Sequence, residues 1–363
     1  MMQIPRKIKG LCKDPTSILT RHKGLEKKVI GYTCSNIPEE IIIAAGLQSY
    51  RISNLGANTS ALTPSFLCPF ASATLENILK LEDLFGGFIV AHTCDPMWRI
   101  YDILKKKISK PLFFLRVPHN TNNELSFDFM KMEFMRLKTF LEENFDTKIS
   151  NDSLLSTIEL CNHTRNLLKN IYMSNRNNKH RTSALDYFHL VLASMWMPKP
   201  EFNALAEALE FGNDMTHGNV RLHLNGTALY DLNLIKIIEE YGGFVVSDDL
   251  CTGSRYFWNS VEKSENPLSA LVNRYLKRTP CPAQDPLEDR LRYISYMIDE
   301  FNVQGVITYA EKFCDPILYD IVHIRKKLAA KGIPSLLVDY ENPTQEIARI
   351  KTRIEAFIET LGG

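Results

Sequence analysis

The chain has 363 residues, 45% hydrophobic and 23% charged, enough to bury a large core in two domains or one elaborate one. Its 43 Lys and Arg against 42 Asp and Glu leave no net field that would draw nucleic acid or an acidic membrane surface, so neither partner is expected. No apolar run reaches the roughly 20 residues a spanning helix needs, and the basic amino terminus lacks the apolar segment of a secretory signal. The expected location is the cytoplasm, where thiols stay reduced, so the eight cysteines read as core fillers, metal ligands or catalytic groups rather than disulfides.

Residues 8–28 read as a charged helix with an apolar stripe. Lys28 to Tyr32 then reads as a short buried strand that ends at Cys34. Pro38, Glu39 and Glu40 open a helix that stops at Gly46, with a second strand at Gln48–Ile52. A polar loop over 54–66 leads to Cys68-Pro69 and a helix over Ala71–Leu84, followed by a strand from Gly86 to Ala91. Cys94 comes next, then a helix over Asp95–Lys107 and a strand over Pro111–Val117. Strand and helix alternating at this spacing predict a parallel sheet covered on both faces.

From Glu124 to about Met215 the strand signal gives way to helical periods at Phe127–Phe145, Leu154–Tyr172, Ala184–Trp196 and Phe202–Leu209, broken by a polar run at 175–181. Alternation then resumes. Strands are expected at Val220–Leu224, at Phe244–Val246, in the apolar run that begins at Gly305 and delivers Cys314, and at Ile333–Val338. Helices are expected at Leu232–Glu240, Pro267–Leu276, Leu287–Phe301, Ile317–Lys331 and Thr344–Leu361. The predicted fold is α/β, two Rossmann-like parallel-sheet domains with a helical insertion between them: 1–123, 124–216 and 217–363.

Six of the eight cysteines follow an apolar strand or sit in a turn marked by proline or glycine: Cys34, Cys68, Cys94, Cys251, Cys281 and Cys314. Cys314 follows an apolar run and precedes a helix start, where ligands collect in open α/β sheets and the helix dipole favours a thiolate. Cys34 and Cys94 have the same address, which suggests ligands converging on an iron–sulfur cluster in a cleft between the two α/β halves. Cys12 and Cys161 lie on helical segments with no metal-type neighbour and read as packing residues.

Structural zinc sites and ferredoxin-type clusters use cysteines at short spacing, and no such pair occurs. His92 is two residues from Cys94, and adjacency alone does not make it the partner of a cysteine nucleophile; no argument places His22, His163, His180 or His217 either. Neither the glycine-rich dinucleotide fingerprint nor the phosphate loop of nucleotide hydrolases is present, so ATP, if used, is used by another protein. Asp248 and Asp249 read either as substrate or ligand partners or as a solvated capping turn. Arg255 reads as a surface ion pair, or as a partner for a CoA phosphate or an inter-subunit carboxylate. Glu39 and Glu40 are sufficiently explained as favourable charge at a helix start.

The segments GYTCSNIPEEIIIAAGL, LCPFASATLENIL, AHTCDPMWRIYDIL, SDDLCTGSRYF, RTPCP and KFCDPILYDI, in this order, resemble the 2-hydroxyacyl-CoA dehydratase family, which also contains the benzoyl-CoA reductase cluster subunits. The resemblance implies a 4Fe-4S cluster held by three cysteines, a paralogous partner subunit, and one-electron reduction by a separate ATP-hydrolysing iron–sulfur activator. In the dehydratases that electron makes a ketyl radical from the acyl-CoA thioester, so that the 2-hydroxyl can leave; in the reductases it enters an aromatic ring. Carried over by motif, Cys94 and Cys314 are ligands, and the third is Cys34 or Cys68. Cys251 and Cys281 complete the six that similar double-cubane cluster proteins use to hold two bridged cubanes. The reading favoured by the motifs is a dehydratase iron–sulfur subunit. The alternatives are a double-cubane or benzoyl-CoA-type reductase subunit, as a homodimer in the double-cubane case, and a non-catalytic structural subunit.

Overall fold

The computed structural model describes residues 4–24, 28–53, 60–176, 182–210, 220–341 and 346–362. The expected loop over 54–59, the polar break at 177–181, the boundary at 216, the start of the last helix at Thr344, and His180 and His217 lie outside the described residues.

The amino-terminal segment forms two helices, α1 (Arg6–Lys13) and α2 (Ser17–Gly24), where one was expected. Pro15 lies at the break, because a proline inside a helix removes a hydrogen bond and clashes with the preceding turn. β1 (Val29–Tyr32), α3 (Glu39–Ala44), β2 (Gln48–Arg51), α4 (Pro69–Leu81), β3 (Gly87–His92), α5 (Asp95–Lys107) and β4 (Leu112–Arg116) follow. These strands form a parallel sheet in the order β2-β1-β3-β4. β3 is buried from Gly87 to Ala91, as a strand covered on both faces must be.

Four helices come next: α6 (Glu124–Phe145), α7 (Asn151–Met173), α8 (Ala184–Trp196) and α9 (Lys199–Glu207). Asn123, Ser150 and Ser183 cap the first three by accepting backbone N–H groups. α8 is buried almost all round and packs beside β2.

The second sheet repeats the order of the first, as β6-β5-β7-β8, from β5 (Val220–Gly226), β6 (Gly243–Asp249), β7 (Gly305–Glu311) and β8 (Ser335–Tyr340). Its helices are α10 (Asn233–Glu240), α11 (Ser254–Phe257), α12 (Pro267–Lys277), α13 (Leu287–Glu300), α14 (Asp315–Ala330) and α15 (Ile347–Gly362). β6 runs on through Asp248 and Asp249, both buried, so the solvated-turn reading of this pair gives way to the end of a buried edge strand. The fold is thus α/β with two four-stranded parallel sheets flanked by helices. The two halves are tied directly, by Thr121 N–H donating to Asp285 O (2.9 Å) and by the Tyr230 hydroxyl donating to Ile52 O (3.1 Å).

Candidate metal centre

In a sheet of order 2-1-3-4 the connections leave the first and third strands toward opposite sides, and the gap beyond their carboxyl ends is where ligands bind. Thr33 and Cys34 follow β1, and Thr93 and Cys94 follow β3; Thr227 and Ala228 follow β5, and Cys314 follows β7. All of these line a single cavity of about 110 Å³ between the two sheets. Cys68, Cys251 and Cys281 line it too, so all six cysteines singled out by their turns meet there. Cys12 and Cys161 do not; Cys12 donates to His189 O (3.5 Å), and Cys161 is fully buried.

Cys68, Cys94 and Cys314 are the N-cap residues of α4, α5 and α14, each followed by a proline in the first turn. Proline suits that position because its missing N–H would have had no partner there. Free backbone N–H groups then reach the sulfurs. Ala71 donates to Cys68 and Met97 to Cys94, while in the tighter turns Asn36 N lies 3.4 Å from Cys34 Sγ and Ala283 N 3.3 Å from Cys281 Sγ.

Burial pushes Cys94 up to about 11 and Cys281 up to about 12. A hydrogen bond with Cys314, then burial, drives Cys68 well up.

Three charged side chains share the wall. Arg51, at the end of β2, donates from Nε to the Tyr230 hydroxyl (3.0 Å) and places Nη2 3.7 Å from Cys251 Sγ. Arg255 pairs with Asp249 (Nε to Oδ1, 3.0 Å) and donates to Gly226 O (3.1 Å). Asp249 is held in turn by Arg290 (2.6 Å). Arg255 is therefore neither a surface ion pair nor a solvent-facing group, being 3% exposed. Glu311 accepts from Phe70 N (2.9 Å), from the Tyr340 hydroxyl (3.0 Å) and from Cys68 Sγ (3.5 Å), and burial raises its pKa.

Arg51 and Glu311 were missed in the sequence. The signal for Glu311 was an acid at the end of an otherwise apolar strand, which costs free energy unless it has partners. Arg51 had no such signal, because β2 reads Gln-Ser-Tyr-Arg and is largely polar in sequence.

No three His, Cys, Asp or Glu side chains among the described residues converge on one point as the ligands of a single ion would. Six thiols around a cavity of about 110 Å³ instead suit a group several atoms wide. The wall also has unmet donors, since Arg51 Nη1 and Arg255 Nη1 are buried with no hydrogen-bond partner. Orphaned donors of this kind cost about 1–3 kcal/mol each, which an anionic group in the cavity would offset. Thiolate ligands with cationic neighbours fit an iron–sulfur cluster in donor type and charge.

The fold and the cleft define a two-domain α/β protein with a thiol-lined centre at its paired sheet ends. The profile described as "2-hydroxyglutaryl-CoA dehydratase, D-component" matches residues 34–361, and the chain belongs to that family. It is 26% identical to the (R)-phenyllactyl-CoA dehydratase beta subunit of Clostridium sporogenes, over 97% of each chain. It is 25% identical to a benzoyl-CoA reductase subunit of Thauera aromatica, over 92% of this chain and 91% of that one. It is 24% identical to the (R)-2-hydroxyglutaryl-CoA dehydratase beta subunit of Acidaminococcus fermentans, over 96% of each. The family is one of enzyme subunits, named chiefly as CoA dehydratases, which are lyases. No helix among the described residues is long and apolar enough to cross a membrane.

Proposed function

We propose that this chain is a cytoplasmic iron–sulfur subunit that delivers low-potential electrons to a substrate, with Cys34, Cys68, Cys94, Cys251, Cys281 and Cys314 as its ligands. The observation that carries this is the meeting of all six thiols on one cavity. A single 4Fe-4S cubane on Cys34, Cys94 and Cys314, with Cys68 as the competing third ligand, would leave three thiols in the same wall unused. The six-thiol set therefore favours the bridged double cubane, and with it an ATP-dependent reductase acting on a small molecule.

When bound, the group supplies electrons one at a time at low potential. The chain's own residues do the rest. Helix N-termini and backbone N–H groups stabilise the thiolates, Arg51 and Arg255 balance their charge, and Phe70, Met97 and Pro316 keep bulk water out. Pockets for drug-sized ligands span about 300–1,000 Å³, so the thiol cavity itself is too small for an acyl-CoA.

In the second reading the chain is the iron–sulfur subunit of a 2-hydroxyacyl-CoA dehydratase. It is supported by the relatives' names, and the thioester would then bind where a paralogous subunit meets this one. Both readings require an ATP-hydrolysing iron–sulfur activator and a second subunit, paralogous or identical. We further propose the division at 1–123, 124–216 and 217–363.

Iron and acid-labile sulfide per chain, measured on protein purified without oxygen, test the reading. About eight irons support the double cubane and about four a single cubane with 2-hydroxyacyl-CoA substrates. An iron-free protein that cannot be reconstituted would leave only a non-catalytic structural subunit.

A further inference from the structure

The 22-residue helix α6 is apolar on two faces. Its inner face, Met130, Phe134, Leu137, Leu141 and Phe145, is buried, and α6 packs on β4 and α12. Its outer face carries Leu125, Met132 and Met135, which are 80%, 45% and 52% exposed, and the half-buried Phe129. A helix that is apolar all round is normally enclosed on every side, so this outer stripe is a surface that lacks its cover. Met132 and Met135 help to line a groove of about 590 Å³, together with Phe113 and Phe140. None of these residues lines the thiol cavity.

The charges on the stripe are placed as regularly as the apolar groups. Arg136 is about half exposed, and its Nη1 donates to Glu133 Oε1 (2.6 Å); the Glu133 carboxylate is fully buried and so fixes the guanidinium at the surface. The ion pairs of α6 use Glu133, Arg136, Lys138 and Glu142, and Asp128, also exposed, has none among the described residues.

An α-helix turns once in about 3.6 residues, so positions equally far before and after Met132 lie at equal heights and equal angles on opposite sides of it. Four away these are Asp128 and Arg136, three away Phe129 and Met135, seven away Leu125 and Thr139. A two-fold axis through Met132, perpendicular to α6, therefore sets Met132 against its own copy and Asp128 against the partner's Arg136. It sets Phe129 against the partner's Met135 and Leu125 against the partner's Thr139. Moving the axis to midway between Met132 and Met135 would instead set Lys131 against the partner's Arg136 and Glu124 against the partner's Glu143, and like charges facing each other repel. The first register has the self-complementarity that a two-fold dimer requires.

We propose that the outer face of α6 docks a second copy of this chain: the two α6 helices lie antiparallel about a two-fold axis at Met132, flanked by two Asp128–Arg136 ion pairs. The second subunit that the proposed function calls for is then an identical chain. The inference rests on that requirement and on no cluster ligand, so oligomeric state and iron content test the two readings separately.

The experiment is sedimentation equilibrium, with light scattering during gel filtration, on the full chain purified alone and without oxygen. The wild type is a dimer. Met132→Glu sets two carboxylates against each other on the axis, and Asp128→Arg faces the partner's Arg136; each raises the dissociation constant at least about tenfold, as like charges across an interface do. Arg136→Asp alone has the same effect, and an equimolar mixture of Asp128→Arg and Arg136→Asp chains dimerises again, because each then meets the opposite charge. Circular dichroism identifies a variant that fails to fold. Met132 and Asp128 are exposed and outside the Glu133 ion pairs, so their variants keep the test decisive if Arg136→Asp does not fold.

A wild type that stays monomeric at about 100 μM, well above the micromolar range of weak interfaces, overturns the proposal. So does a dimer that neither Met132→Glu nor Asp128→Arg weakens, or a mixture of folded Asp128→Arg and Arg136→Asp chains that stays monomeric. A wild type that dimerises only with a paralogous chain also overturns it. An iron-free wild type whose dimer responds to the variants as described removes the iron–sulfur reading and supports the α6 pairing.

Discussion

Lys199 is the first residue of α9 and 2% exposed, yet it carries a charge into the interior. Its Nζ lies 2.8 Å from Glu39 Oε2 and donates to Ser194 O and to the Tyr256 hydroxyl, both at 2.6 Å. The Tyr256 hydroxyl donates in turn to Glu39 Oε1 (2.7 Å), closing a ring that joins α3, α9 and α11. Lys199→Met keeps the stem's volume and removes the ammonium, leaving the Glu39 carboxylate buried with Tyr256 and a long contact to Tyr32 (3.4 Å). Breaking a buried pair from one side costs about 3–5 kcal/mol, a large share of the about 5–15 kcal/mol that holds a protein folded. Urea unfolding should show a lower midpoint with the same slope. The double variant Glu39→Gln/Lys199→Met should recover most of the loss, because a neutral pair has no charge to desolvate. A Lys199→Met loss below about 1 kcal/mol, or a double variant no better than the single, would refute the argument.

Burial holds the His223 imidazole down at about 4, its Nδ1 2.8 Å from Ser247 Oγ. The folded chain therefore stays neutral there while the unfolded chain protonates. The stability tied to this difference is fully present above pH of about 6.5 and is lost as pH falls toward 4, by about 3 kcal/mol; His223→Gln should abolish that part of the acid sensitivity of the urea midpoint. A Cβ at Gly253 would collide with the Asp248 carboxylate, which is pinned by the N–H groups of Leu250 (3.0 Å) and Ser254 (2.8 Å). Gly253→Ala should cost about 1–3 kcal/mol in thermal or urea unfolding and lower iron retention through the Cys251 turn. Cys161→Ala should keep the full iron content of the wild type at a cost of about 1 kcal/mol, whereas Cys94→Ser should lose iron; equal iron in both would remove Cys94 from the centre.

Both sheets and the four intervening helices were legible in the sequence. Apolar runs ending in turn residues are what buried parallel strands require, and Pro-start patterns such as Cys314-Asp315-Pro316 mark helix N-termini through backbone chemistry alone. The same local logic picked out the six cysteines, because a strand end and a helix start are both written in consecutive residues. What it could not supply was distance between segments. Cys34 and Cys281 belong to one wall only because two sheets of equal order face each other across their carboxyl ends. The charged residues show the same limit. Glu39 and Glu40 fit a helix start, but their partners Lys199 and Arg165 lie more than a hundred residues away, and only packing makes them buried ion pairs. Asp249 and Arg255 each had a solvent-facing reading beside a functional one; in the fold Asp249 ends a buried edge strand and Arg255 lines the thiol cavity. Periodicity and turn chemistry act over a few residues and determined the elements. The pairing of charges and thiols depends on chain crossings that bring distant residues together, and only the tertiary structure decided it.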